Sequence, residues 1–224
     1  MVTTLYLIRH CQAEGNFKML CHGQTDGQVT EMGKLQLQAL SGASGGWNLS
    51  AIYASPLIRA METAKAVNEN YHLPIQTDEA LKELYFGEWE GRSWKNVAET
   101  FPESYSVWKN TPEKFEAPGG ETMKEAYDRI VSCISSLVRK HPGETIAIAG
   151  HSLVFRCYLA HVIYHELRDL LIIGMGDNTY ICKITFDENF VPTLCYKYNA
   201  SHLSEDISTT AFRRRNGIEA PKSR

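Results

Sequence analysis

No apolar run in this chain approaches the roughly 20 residues that a membrane-spanning helix needs. The amino-terminal stretch MVTTLYLIRH also lacks the charged segment and following apolar segment of a secretion signal. C-x-x-C pairs are absent: Cys11, Cys21, Cys133, Cys157, Cys182 and Cys195 stand singly, several in apolar surroundings. That pattern argues for reduced, buried thiols in a cytoplasmic protein. Nor is there an excess of basic charge. Lys and Arg number 23 against 26 Asp and Glu, a net charge of -3, so no broad positive field exists to hold nucleic acid. Internal repeats and low-complexity linkers are missing too. With 43% hydrophobic residues in 224, what is left is an ordinary globular chain able to bury a sizeable core.

Strand-like and helical runs alternate along it. Thr3 to Arg9 reads as a buried strand, and a helix follows from Val29 with Thr30 as its cap. Ala51 to Leu57 is a short strand. Ile58 to Tyr71 is an amphipathic helix, with Ala60, Met61, Ala64, Val67 and Tyr71 recurring at steps of three and four. Pro74 to Leu81 is a further candidate strand. Residues 91–118 carry Trp94, Phe101, Tyr105, Trp108 and Phe115 among three prolines. They predict a short helix and irregular loops: a lid insertion over a pocket, or a packed surface excursion. Thr122 and Glu125 form a capping box, after which Met123, Ala126, Ile130, Ile134 and Leu137 keep helical spacing. Glu144 to Gly150 is a strongly apolar strand, Ser152 to Tyr164 a buried helix, and TYICKITFD and TLCYKYN two late strands joined by a turn. The alternation predicts a three-layer α/β/α fold with a mostly parallel central sheet and helices on both faces. Residues 1–205 are expected to form one domain, and 206–224, with Arg213 to Arg215, a loose basic tail.

Two strands end alike, in Arg9-His10 and in Gly150-His151. The ends of parallel strands share one sheet edge, where open α/β sheets place their chemistry. The polar residues that follow strands are Arg9, His10 and Asn16, then Arg59, Glu83 and His151. Two guanidinium groups can fork the oxygens of a phosphoryl group. A neutral imidazole can attack phosphorus, and a second can bind the equatorial oxygens as charge shifts. A carboxylic acid can protonate the leaving oxygen and later take a proton from water. This chemistry calls for no metal and no cofactor, because the arginines supply the positive charge.

The stretches LYLIRHCQAEGN, ASPLIRAMETA, LKELYFGEWEG, PGGET and AGHS, in this order, resemble the histidine phosphatase (phosphoglycerate mutase-like) superfamily over nearly the whole chain. The resemblance implies His10 as phosphate-accepting nucleophile, Arg9, Arg59 and His151 as the rest of the phosphate pocket, and Glu83 as proton donor. It places Asn16, Gly23 and Gln24 beside the phosphate or substrate, and His22 and Ser152 complete the expected substrate-binding set. The sequence departs from the family at Cys11, where Gly is usual, and at Leu20, where many relatives carry Arg. A thiol near an arginine-rich pocket is expected to have a lowered pKa and mild sensitivity to oxidation.

The same pocket serves phosphatases and mutases. Mutases of the family carry a longer insertion with paired arginines after the proton donor, whereas residues 91–118 are short and contain no Arg-Arg pair. Water is therefore the expected acceptor, with a small phosphorylated metabolite as substrate and a mutase as the alternative. Other readings fit less well. AGHSLV approximates a serine-hydrolase elbow around Ser152, but Val154 replaces its last Gly and Arg9, His10 and Arg59 have no task there. Glu88 is a competitor of Glu83, and His22 either touches substrate or is merely exposed. His161 and His165 have zinc-compatible spacing without the Glu of H-E-x-x-H or an evident third ligand. A silent phospho-ligand-binding member is disfavoured because every catalytic position is filled.

Overall fold

The structure, a computed structural model, describes residues 1–168 and 170–217. Its centre is a six-stranded sheet of β1 (Thr3–Arg9), β2 (Ala51–Ala54), β3 (Ile75–Thr77), β4 (Thr145–Gly150), β5 (Ile181–Phe186) and β6 (Pro192–Asn199), in the order β3-β2-β4-β1-β5-β6. Neighbours from β3 to β1 pair in parallel, β5 runs against β1, and β6 runs against β5.

Successive strand side chains point to opposite faces, and the core divides accordingly. Leu5, Leu7, Tyr53, Ile146 and Ile148 face α6 (Met123–Lys140) and α7 (Ser152–Tyr164). Tyr6, Ile8, Ile52, Ala147 and Ala149 face α2 (Glu31–Ser44) and α3 (Ile58–Asn68), through Leu40, Ala64 and Val67. Helices on both faces make the expected three layers. Strands β1, β2 and β4 are buried nearly throughout because both of their faces are covered. Edge strand β6 instead alternates half-buried with exposed residues.

Local chemistry sets the helix ends. Thr30 Oγ1 accepts from Gly33 N at 3.0 Å, and Thr122 and Glu125 exchange the two bonds of the capping box at 3.1 and 2.8 Å. Gly33 is also where α2 meets the first strand's loop: a Cβ there would stand 2.2 Å from Gln12 O. Met123, Ala126, Ile130, Ile134 and Leu137 are all buried, as their spacing predicts.

Several elements differ from expectation. The second strand stops at Ala54, and the third helix ends at Asn68, before a left-handed His72. The third strand is only three residues, with Asp78 then capping a 3-10 turn at Glu79–Leu81. Residues 91–118 are more helical than expected, with α4 (Trp94–Thr100) and α5 (Pro102–Asn110). Their aromatic rings join Phe86 and fully buried Trp89 in one cluster, in which Trp94 stacks on Trp108 at 5.8 Å and Trp89 meets Phe115 at 4.8 Å. Offset and edge-to-face contacts between rings add to the burial of this segment.

Within the described part of the expected loose tail, residues 206–217, the chain is ordered by a helix. Ser208 caps α9 (Thr209–Arg215), and buried Thr209 accepts from Gln12 Nε2 at 3.1 Å and Gln36 Nε2 at 3.0 Å. The glutamines are themselves buried, so their amides need such a partner. Residues 218–224 lie outside the described residues.

Two substitutions measure these contributions. Trp89→Ala empties the centre of the aromatic cluster and is expected to lower unfolding free energy by about 3–5 kcal/mol. Thr122→Ala, which removes one cap, is expected to lower it by about 1 kcal/mol. Urea denaturation followed by tryptophan fluorescence and circular dichroism reads both.

Candidate active site

In the sheet register Arg9 stands opposite Gly150, so the residues that follow, His10 and His151, leave the same edge side by side. Their ring centroids are 5.2 Å apart and both are buried. His10 Nδ1 lies 2.7 Å from the carbonyl oxygen of Cys11. A carbonyl only accepts, so Nδ1 carries the proton and Nε2 keeps its lone pair in the neutral ring. Burial first, then the charges of Arg59 and Arg9, hold the His10 pKa well below the usual histidine value.

His151 Nε2 pairs with Ser55 Oγ at 2.8 Å, while its Nδ1 is buried without a protein partner. Ser55 Oγ also accepts from Leu57 N at 3.4 Å, which fixes the hydroxyl that holds the His151 ring. The His151 pKa is likewise held well below its usual value, by burial and then Arg59.

Both arginines are buried, and both are held by carbonyls on their far edges. Arg9 Nη1 donates to Gly176 O at 2.7 Å. Arg59 donates through Nη1 to Thr25 O at 3.1 Å and through Nη2 to Gly23 O at 2.6 Å. Asp26 lies 3.7 Å from Arg59 Nη1, but both of its oxygens also accept from Ile58 N at the start of α3. The Nε atoms of Arg9 and Arg59 have no partner. Desolvation pulls both guanidinium pKa values down. The result is two oriented cations, each with a spare buried donor, beside an imidazole with a free lone pair.

Glu83 sits half-buried at the amino terminus of α7. Its Oε2 accepts from Leu153 N at 3.1 Å, and its Oε1 from Val154 N at 3.2 Å and Leu84 N at 3.0 Å. The amides of Leu153 and Val154 are orphan donors of a helix start, which favour an acidic partner. The charge of Glu83 reaches both Arg9 and Arg59.

The expected substrate-side residues surround this core. Asn16 Oδ1 accepts from Ala13 N at 3.1 Å, which turns its amide nitrogen outward. Gly23 has φ +42°, and a Cβ there would stand 2.0 Å from Glu90 Oε1, so only glycine fits the loop that offers its carbonyl to Arg59. Gln24 is anchored rather than free: its Nε2 donates to Glu83 O at 3.1 Å and its backbone N to Glu90 Oε1 at 2.7 Å. His22 packs on Gly15 and Gly27, and burial followed by Arg59 lowers its pKa to about 4. Ser152 Oγ is buried with no partner, so no base stands ready to activate it as a nucleophile. Glu88 is exposed on a 3-10 turn, and His161 pairs with Tyr127 Oη at 3.0 Å.

Cys11 corrects an expectation. Its side chain is buried against the backbone of α3, with Sγ 3.8 Å from Arg59 O and its backbone N donating to Thr63 Oγ1 at 3.0 Å. Burial pushes the thiol up to about 12, the reverse of activation. Cys11 is not among the residues with left-handed backbone, which is why a residue other than glycine is accommodated.

Four residues of the site escaped sequence reasoning. Ser55 orients His151, and Thr63 holds the turn after His10. Glu90 clamps the loop at 24–25 through both oxygens. Asn178 Nδ2 donates to His10 O at 3.0 Å. Ser55 lies inside a motif that the resemblance already used, ASPLIRAMETA, but nothing local marks its partner or that of Asn178.

The sequence profile described as histidine phosphatase superfamily (branch 1) matches residues 5–197. Phosphoserine phosphatase 1 of Hydrogenobacter thermophilus is 27% identical over 176 residues, 79% of this chain and 83% of that protein. The metal-independent phosphoserine phosphatase of Arabidopsis thaliana is 31% identical over 159 residues, 69% of this chain and 66% of that protein. The solved structure of Bacillus stearothermophilus YhfR superposes with a TM-score of 0.86 at 28% identity, over 90% of this chain and 100% of that one. The chain belongs to the histidine phosphatase superfamily.

The placement of Cys11 has a measurable outcome. Exposure to millimolar peroxide is expected to leave phosphate-ester hydrolysis unchanged, and mass spectrometry of the folded protein is expected to find Cys11 unmodified while exposed Cys195 reacts.

Proposed function

We propose that the protein is a metal-independent phosphomonoester hydrolase that works through a phosphohistidine on His10. The observation that carries this reading is the hydrogen bond from His10 Nδ1 to the Cys11 carbonyl, which aims an unprotonated Nε2 between two guanidinium groups with unused donors. A phosphoryl group is bound through its oxygens by Arg9, Arg59 and His151 Nδ1. His10 Nε2 attacks phosphorus, the bond from phosphorus to the ester oxygen breaks, and Glu83, which takes up a proton from water as the anionic phosphoryl group enters beside it, gives that proton to the ester oxygen. The proton stays on Nδ1, hydrogen-bonded to the Cys11 carbonyl, which faces the positive charge gained by the ring. Water then attacks phosphorus, the phosphorus–nitrogen bond breaks, and Glu83 recovers a proton. Alcohol and phosphate leave, and His10 is neutral again.

Water as acceptor is favoured by the region after Glu83. Arg92, which precedes α4, lies with its guanidinium 5.4 Å from the Phe101 ring centre and donates to Glu88 O and Asn96, so it is spent on its own segment. No arginine from residues 91–118 therefore stands ready to hold a second phosphorylated acceptor. The substrate is a small phosphorylated metabolite, in line with relatives named for phosphoserine. Buried single thiols fit a cytoplasmic setting.

Hydrolysis of p-nitrophenyl phosphate is expected to persist in excess chelator and to be blocked by vanadate. His10→Ala is expected to abolish turnover, lowering it by about a thousandfold or more, while Ser152→Ala keeps it within the same order of magnitude. Loss of activity in Ser152→Ala with survival in His10→Ala would reverse the assignment.

Acid titration gives a second test. Because the folded-state pKa of His10 lies well below its ordinary value, the ring stays neutral and nucleophilic as pH falls through about 6.5. The acid limb of kcat/KM, corrected for ionisation of the substrate, is expected well below that pH. The same depression makes folding stability fall in that direction. Unfolded histidines take up protons below about 6.5 and the buried ones do not, so urea midpoints are expected to drop between pH 7 and pH 5.

A further inference from the structure

Arg213 behaves differently from the rest of its basic run. Arg214 and Arg215 face solvent and pair with Glu205 at 3.6 Å and Asp206 at 3.2 Å. Arg213 is half-buried and makes no ion pair among the described residues; its Nη2 donates to the carbonyl of Asn16 at 3.3 Å. Asn16 lies in the short helix Glu14–Phe17, and Asn178 Nδ2 bridges its Oδ1 at 3.5 Å and His10 O at 3.0 Å, which links the guanidinium to the segment that carries His10.

The helix that carries it is held firmly. Asp177 accepts from Ser208 Oγ at 2.5 Å, Thr209 N at 3.0 Å and Thr210 N at 3.2 Å, so both of its oxygens are committed to the start of α9. Asp177 follows Gly176, the carbonyl that holds Arg9. One short loop therefore fixes Arg9 on one side and Arg213 on the other. The charge of Arg9 acts on Arg213, second only to burial in lowering its pKa, so the two cations lie within reach of one another. Asp177 acts on Arg213 in the opposite sense, but its oxygens are committed to the start of α9 and form no ion pair with Arg213, so a half-buried guanidinium beside a second one is compensated only in part without a further anion.

We propose that Arg213 is a specificity-determining residue that binds a carboxylate carried by the substrate beside its phosphoryl group. This rests on the phosphatase reading above. Arg9, Arg59 and His151 already answer the phosphoryl oxygens. One further guanidinium, with an edge occupied by Asn16 O, leaves a planar fork and a single charge, which match a carboxylate. A second phosphoryl group would bring two charges to one cation.

The test compares phosphoserine with phosphoethanolamine, which lacks the carboxylate, and 3-phosphoglycerate with glycerol 3-phosphate, in which an uncharged hydroxymethyl group replaces it. The wild type is expected to favour the carboxylated member of at least one pair by about tenfold or more in kcat/KM, the range of a charge-assisted hydrogen bond. Arg213→Met is expected to bring that ratio towards one through a higher KM for the carboxylated ester, and Arg213→Lys to keep part of it. Absence of any preference in an enzyme active on p-nitrophenyl phosphate would overturn this inference alone. So would an equal fall on all substrates in Arg213→Met, which would make Arg213 a prop for Asn16. A wild type inert towards p-nitrophenyl phosphate as well would overturn the phosphatase reading and the inference with it.

Discussion

Burying two guanidinium groups at one sheet edge is the constraint on which the site depends. A charge removed from water is tolerated only when it is hydrogen-bonded and held. Here most of the holding is done by backbone carbonyls: Gly176 for Arg9, Thr25 and Gly23 for Arg59. Carbonyl dipoles orient the cations without neutralising them. The carboxylates nearby are occupied elsewhere, Asp26 at the start of α3, Asp177 at the start of α9 and Glu83 at the start of α7. A positive field is thereby kept for an anion that arrives with the substrate. Burial, joined by the same field, keeps both histidines neutral, so the enclosed cationic edge both binds phosphate and prepares the nucleophile.

The loops that supply those carbonyls are built accordingly. The segment from His22 to Asp26 is clamped by Glu90 and shaped by a left-handed Gly23, and it ties Arg59 to the region after Glu83. The turn between Gly174 and Thr179 carries the Arg9 acceptor, the amide that holds His10 O and the cap of α9. The fold supplies the edge on which these loops meet. Strands buried on both faces cannot shift register without losing both core layers, so Arg9 and Gly150 stay opposite one another and the histidines stay paired.

Much of this was legible in the sequence, for identifiable reasons. A strand buried on both faces is a continuous apolar run, so the ends of β1 and β4 and the polar residues beyond them stand out. Thr30 and Thr122 announce helix starts because capping is a short-range interaction. What stayed hidden depends on long-range geometry. Asn178 meets His10, and Arg213 meets Asn16, across most of the chain, and no local pattern encodes that. The basic run at 213–215 reads as a solvated end because charge alone does not reveal that Thr209 answers two buried glutamines. Cys11 misled for the opposite reason: its neighbours in sequence are cationic, but its side chain is buried against the backbone of α3.

The opposite edge of the sheet has its own use. β1 starts at Thr3, seven residues of strand away from the guanidinium cage, and Met1 rests against Gly143 there. At about 3.3 Å per residue that is a separation of roughly 20 Å. Anything joined ahead of Met1 departs far from the chemistry, whereas α9 brings the other end of the described chain against it. An affinity handle, a surface tether or a fluorescent reporter therefore belongs on the amino-terminal side.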